Sequence, residues 1–307
     1  MSSASDNSAT PRTTREARGR VSGDSIELAF GYWPGRGAPL VGLHGLTASY
    51  LNFIGVAARL SGRLPLLALD LRGRGDSEKP EGPYGFVQHA KDVAAAMRSF
   101  GLGPSVIVGH SMGAFIAAAL AAQFPELVSG LVLVDGGYVP DRSSGVAADA
   151  AVNAALLERV TQLRETYPSR EAYVALWRGK PHFPADAWGP WVQAFLEYEV
   201  GGDGPVKPKA YDAGVVADLA EGMRRDEIVS RLRALRVPTL LMRAEAGFLP
   251  TQPPLFPDSR RDEILALSPH IEDRKIPGTT HYTIMLGNPG ATAIANSLVD
   301  FSARLKS

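Results

Sequence analysis

Nothing constrains the fold of this chain more than the stretch from Val106 to Ala119. A β-branched run, Val106-Ile107-Val108, stops at Gly109-His110-Ser111-Met112-Gly113, and an alanine-rich helical run follows at once. Strand, tight turn and helix in direct succession form the setting in which Gly-x-Ser-x-Gly acts as a nucleophile elbow. Such a turn strains the serine backbone, and a Cβ at Gly109 or Gly113 would collide with the neighbouring strand or helix. It lifts the Ser111 hydroxyl clear of the sheet. The first N–H groups of the helix, which have no intrahelical partner, point into the same space.

The rest of the chain supplies a scaffold of the right kind. Its 307 residues suit one large α/β domain with an insertion, and 45% apolar residues suffice for a substantial core. Thirty-two basic and thirty-two acidic residues balance, so nothing in the charge suggests a nucleic-acid or anionic-membrane partner. The absence of cysteine excludes disulfides, thiol catalysis and Cys-ligated metals. No apolar run of about eighteen residues predicts a membrane span. Residues 1–20 are rich in Ser, Thr, Ala and Arg and lack an apolar core segment, so they read as a disordered tail rather than a secretory signal. A cytoplasmic protein is the expectation.

Val21 to Trp33 reads as an opening hairpin. Short apolar strands then follow at Pro39–Leu43, Leu64–Leu69, Val106–Val108 and Leu131–Val134, with helical patterns at Tyr50–Leu60, Phe86–Phe100 and Met112–Phe124 between them. This alternation predicts a mostly parallel sheet of eight strands covered by helices on both faces. Ligands bind beyond the carboxyl ends of such strands, where Ser111 and Asp135 lie. The alternation breaks after Gly137. Residues 138–233 read as a helical cap inserted after the sixth strand, with residues 21–137 and 234–307 forming the core. Strands return at Val237–Met242 and Ile271–Ile276, and a helix over Ala291–Leu305 closes the chain.

A serine hydroxyl needs a base, and histidine has the right pKa near neutrality. Of six histidines, His281 is the candidate, in Pro277-Gly278-Thr279-Thr280-His281 between the last strand and the last helix. His110 lies inside the elbow and is expected to point inward; His89, His182 and His270 read as solvated or capping. A tetrahedral oxyanion needs two convergent donors. The N–H of Met112, next after the serine, is one. The N–H of Leu46, in Leu43-His44-Gly45-Leu46 directly after a strand, is the natural second. His44 is expected to brace this loop at the edge of the substrate pocket.

Leu43-His44-Gly45, Leu69-Asp70-Leu71-Arg72-Gly73-Arg74-Gly75-Asp76-Ser77, Gly109-His110-Ser111-Met112-Gly113 and Thr280-His281 together resemble the α/β-hydrolase superfamily, and within it bacterial capped carboxylesterases and lactonases. The resemblance extends over residues 21–307. It implies an α/β-hydrolase fold and gives the Asp70–Ser77 loop a structural role. The third triad member departs from the family's pattern. Most relatives carry Gly-x-x-Asp after the seventh strand, and here the aspartate position holds Gly247. Two acids are open: Asp135 at the tip of the sixth strand, which is preferred, and Glu245 beside the usual strand.

Tyr138 to Tyr211 holds three of the four tryptophans. Some of its aromatics must pack the cap onto the sheet, but the surplus favours a deep apolar pocket, with Tyr138, Trp177, Trp188 and Trp191 as candidate lining residues. No arginine cluster marks an anion-binding position. These features lead to a serine hydrolase acting through an acyl-enzyme on a hydrophobic ester or lactone. A carbon–carbon bond hydrolase, a cofactorless oxygenase or perhydrolase, and a ligand-binding pseudoenzyme are the alternatives. No metal-binding H-E-x-x-H and no dinucleotide fingerprint are present, so no cofactor is expected. The chain is expected to be a monomer or homodimer.

Overall fold

The computed structural model describes residues 16–139, 154 and 156–305. The strands are β1 (Ala17–Ser22), β2 (Glu27–Trp33), β3 (Leu40–Leu43), β4 (Leu66–Leu69), β5 (Ser105–His110), β6 (Val128–Val134), β7 (Val200–Gly201), β8 (Lys207–Pro208), β9 (Thr239–Ala244) and β10 (Ile271–Ile276). Eight of them form one sheet in the order β1-β2-β4-β3-β5-β6-β9-β10. The β1–β2 and β2–β4 pairs are antiparallel and every other pair is parallel.

The period-two alternation of the central strands decides the layers. Ile107, Leu131, Leu133 and Leu241 face one core with α2 (Phe86–Ser99), α3 (Met112–Gln123), α7 (Arg225–Arg233) and α8 (Asp258–Leu265). Val108, Val132, Val134 and Met242 face the other, with α1 (Ile54–Leu60), α9 (Thr283–Leu286) and α10 (Asn288–Arg304). Each of these strand residues is removed from water, a gain of about 1.5–3 kcal/mol per side chain before conformational entropy is charged. The two edges of the sheet differ from its centre: β1 and β10 carry Arg18, Arg20, Glu272, Asp273, Arg274 and Lys275.

Between β6 and α7 lie a helical stretch at 156–162, α4 (Arg170–Arg178), α5 (Pro190–Glu199), the β7–β8 ladder and α6 (Asp212–Gly222). This insertion differs from the expected helical cap in two respects. It contains a short antiparallel ladder, extended by a bridge from Tyr167 to Val206. Its expected end at 233 falls one helix late, because α7 buries Ile228, Val229 and Leu232 in the core of the sheet. Residues 140–153 and 155 of the expected cap lie outside the described residues. So do residues 1–15 of the expected tail, whose last four residues belong to β1. The cap is pinned to the core where the Tyr198 hydroxyl donates to Asp70 (2.7 Å) and where the Gly85 N–H donates to Asp218 (2.7 Å). Among the described residues, no helix is long and apolar enough to cross a membrane.

Candidate active site

Ser111 stands between β5 and α3 with φ 53° and ψ −117°, a conformation few L-residues adopt. Neighbouring backbone imposes it. A Cβ on Gly109 would come within 2.2 Å of the Gly113 carbonyl oxygen, and one on Gly113 within 2.0 Å of the Leu43 oxygen. Strand and helix can approach this closely only because both positions lack a side chain. The Ser111 N–H donates to Val134 O (2.9 Å), which ties the elbow to the tip of β6.

The next residue on that tip is Asp135, at φ 46°. One carboxylate oxygen accepts from the Ala244 N–H (3.1 Å) and the other lies 2.7 Å from His281 Nδ1. Asp135 is 1% exposed and His281 4%. Glu245 is exposed and accepts instead from the Gly278 N–H (2.7 Å). Gly247 touches the histidine only through backbone: its carbonyl accepts from the His281 N–H (2.9 Å). Position 247 thus adjoins the His281 backbone and offers the histidine no carboxylate. His110 points inward as expected, with Nε2 3.0 Å from the His281 carbonyl and Nδ1 3.0 Å from the Asn52 amide. Burial lowers its pKa well below the ordinary histidine value, so a neutral ring supports the His281 backbone.

Met112 opens α3, so its N–H has no carbonyl four residues back within the helix. Opposite it, the loop after β3 runs so close to the serine that a Cβ on Gly45 would lie 3.3 Å from Ser111 Cβ. His44 is buried beneath this loop. Its Nε2 accepts from the Leu71 N–H (3.0 Å), which leaves Nδ1–H to donate to the Gly45 carbonyl (2.7 Å). A planar peptide held by its C=O is also held by its N–H, and that N–H is Leu46's. Burial pushes the His44 pKa down to about 3, so the ring stays in the neutral form this pairing needs. His44 braces the loop, as its sequence position suggests, but from behind rather than at the pocket edge.

The pocket over Ser111 is narrow and partly open, with a volume of about 50 Å³. Leu46, Trp177, Phe183, Phe195, Leu196, Phe248 and Tyr282 supply its apolar wall. Of the aromatic candidates, Trp177 lines it and three do not. Tyr138 packs into the core on the α2–α3 side, with its hydroxyl 2.5 Å from Glu263. Trp188 stands edge-on behind Phe183, stacked by Arg178. Trp191 packs on Gly55 and Arg59 of α1. Those three side chains hold the cap to itself or to the core, a division that helical spacing cannot reveal.

Sequence reasoning missed one polar element of the pocket. Arg159, from the helical stretch 156–162, donates to the Thr47 hydroxyl (3.0 Å) and to Glu199 (3.3 Å), and lies 4.7 Å over the Trp177 ring. Burial opposes its charge, but Glu199 and Tyr173 more than compensate and its pKa is raised. His89 also departs from expectation. It is buried rather than solvated, with Nε2 3.0 Å from Asp218. His182 is partly buried, its ring 5.4 Å from those of Trp177 and Tyr282. His270 is exposed as expected.

A family profile for the alpha/beta hydrolase fold matches residues 38–288. The chain is 34% identical over 249 residues to a 2-(acetamidomethylene)succinate hydrolase of Mesorhizobium japonicum, covering 81% of this chain and 83% of that protein. It is 36% identical over 124 residues to an N-formylmaleamate deformylase of Pseudomonas putida, 40% of this chain and 46% of that one. A crystal structure of an E-2-(acetamidomethylene)succinate hydrolase superposes with a TM-score of 0.77 at 28% identity, covering 94% of this chain and 100% of that one.

Proposed function

This chain belongs to the α/β-hydrolase fold family, and from that premise we propose that it is a serine hydrolase cleaving a small carboxylic ester or lactone through an acyl-enzyme. The observation that carries the reading is the 2.7 Å contact of Asp135 with His281 Nδ1, in one pocket with a serine on a strained elbow. With Nδ1 engaged, Nε2 is the nitrogen left to take the Ser111 proton. Ser111 Oγ attacks the carbonyl carbon, and the Leu46 and Met112 N–H groups receive the charge that develops on its oxygen. The imidazolium, stabilised by Asp135, returns its proton to the leaving oxygen. Water then repeats the sequence on the acyl-enzyme.

The small pocket volume favours a short acyl group, and its aromatic wall favours an apolar one. The same machinery cleaves an activated amide if the leaving nitrogen takes the proton. A second reading, hydrolysis of an N-acyl compound with a short acyl group, is favoured by the acetamido and formyl groups in the names of the two relatives.

A panel of p-nitrophenyl esters from acetate to decanoate, lactones of different ring size, and N-formyl and N-acetyl enamides tests both readings. Turnover of short esters or lactones, lost in Ser111→Ala, is expected. Turnover of the enamides alone would move the assignment to the second reading. Wild-type turnover by Ser111→Ala, or failure of a fluorophosphonate probe to label the protein, would sink both.

A further inference from the structure

Arg74 lies in the Asp70–Ser77 loop, outside the triad, and its side chain is fully buried. Its Nε donates to the Leu46 carbonyl (2.9 Å) and its Nη1 to the Arg72 carbonyl (2.9 Å). Its Nη2 lies 3.9 Å from Met112 Sδ and 2.5 Å from an Asp218 oxygen. One planar guanidinium therefore touches both residues whose N–H groups form the oxyanion hole in the reading above. His44 fixes the peptide before Leu46 through the Gly45 carbonyl, and Arg74 fixes the peptide after it. With both flanking planes pinned, the two torsions of Leu46 are no longer free.

Asp218, on α6, secures the guanidinium from the other side. It also accepts from the Gly85 N–H (2.7 Å) and lies 3.0 Å from His89 Nε2. Burial would raise its pKa, but His89 and Arg74 lower it, so it remains a carboxylate. Both partners are completely buried. A buried ion pair gives little net stability over a well-packed apolar pair. A rigid fork that reaches three acceptors in fixed directions, in contrast, suits the task of holding a loop.

We propose that Arg74, anchored by Asp218, is a positioning residue that sets the geometry of the oxyanion hole through Leu46 and Met112. The proposal rests on the hydrolase reading above. Its test is Arg74→Lys, which keeps the charge facing Asp218 but cannot reach the same acceptors, assayed on an ester that the wild type turns over. The expected result is a kcat about tenfold to a hundredfold lower with KM within about twofold. Affinity for an alkyl boronic acid, which adds to the serine and places an oxygen in the hole, should fall by a similar factor. A folded Arg74→Lys with kcat within about twofold of wild type overturns the proposal. So does a lowered kcat with unchanged boronate affinity. If Arg74→Lys does not fold, Asp218→Asn, which keeps the shape and an acceptor for the Gly85 N–H, decides by the same readings. Because Ser111 is intact in both variants, wild-type turnover by Ser111→Ala defeats the hydrolase reading, whereas a silent Arg74→Lys with Ser111 essential defeats only the positioning role.

Discussion

Asp135 divides its two carboxylate oxygens between the backbone of β9 and the imidazole of His281, so the strand that carries the acid is also locked to its neighbour. Asp135→Asn keeps the shape of the side chain but favours the wrong imidazole tautomer and removes the counter-charge of the imidazolium. Turnover is expected to fall by about four decades with KM little changed, whereas Glu245→Gln should remain near wild type. Steady-state kinetics on the two variants check this, and the reverse pattern would move the acid to Glu245. His44 gives a separate expectation about pH. Its folded pKa lies below its unfolded value, so the stability it contributes is present above about pH 6.5 and is lost as pH falls towards 3. Over that window one histidine accounts for about 1.4 kcal/mol per pH unit. Urea unfolding of wild type and His44→Gln from pH 7 to 4 should show a shallower acid slope in the variant by about that amount. Parallel slopes would mean that the ring does not stay neutral.

At the scale of elements, the cap separates into a part that lines the pocket over Ser111 and a part that packs on the rest of the protein. Phe195, on α5, is buried and lines the pocket, so Phe195→Ala should move the preference towards longer acyl chains. Trp191, on the same helix, faces α1; Trp191→Ala should lower the melting temperature and leave the ranking of substrates unchanged. Activity profiles across acyl-chain length, paired with thermal melts, separate the two outcomes. These helices also show why the sequence is informative in one place and silent in another. The elbow, the strands that flank it and the eight-stranded sheet are local patterns, and a few consecutive residues suffice to recognise them. The pairing of Asp135 with His281 depends on a strand tip meeting a loop across 146 positions, so from sequence it remained a choice between two acids. Arg74 and Arg159 went unassigned, and His89 was expected in solvent or at a cap, because their partners are a loop carbonyl, a cap carboxylate and a carboxylate on α6. Trp188 and Trp191 were misplaced because aromatic content says nothing about which side of a cap segment meets the pocket.

The whole molecule brings a histidine, a carboxylate and the first N–H groups of a helix to the carboxyl end of one sheet, and the proposed mechanism draws on this set alone. Dialysis against EDTA is accordingly expected to leave turnover unchanged; loss of activity restored by zinc would contradict the scheme. Among the described residues, no group of three or more His, Cys, Asp or Glu side chains is placed to hold a metal ion. The two edges of the sheet bear on how the protein behaves in a crowd. At neutral pH the chain carries no net charge, so like molecules gain no long-range repulsion that would keep them apart. An open strand edge in that situation is a template for a neighbour's backbone. Here one edge presents Arg18 and Arg20, and the other carries two acids, Glu272 and Asp273, followed by two bases, Arg274 and Lys275. Extending the sheet from one molecule to the next would strip water from those charges at every step. Colloidal stability is therefore expected to reside in two charged selvedges rather than in the charge of the whole, and neutralising them should promote precipitation at neutral pH.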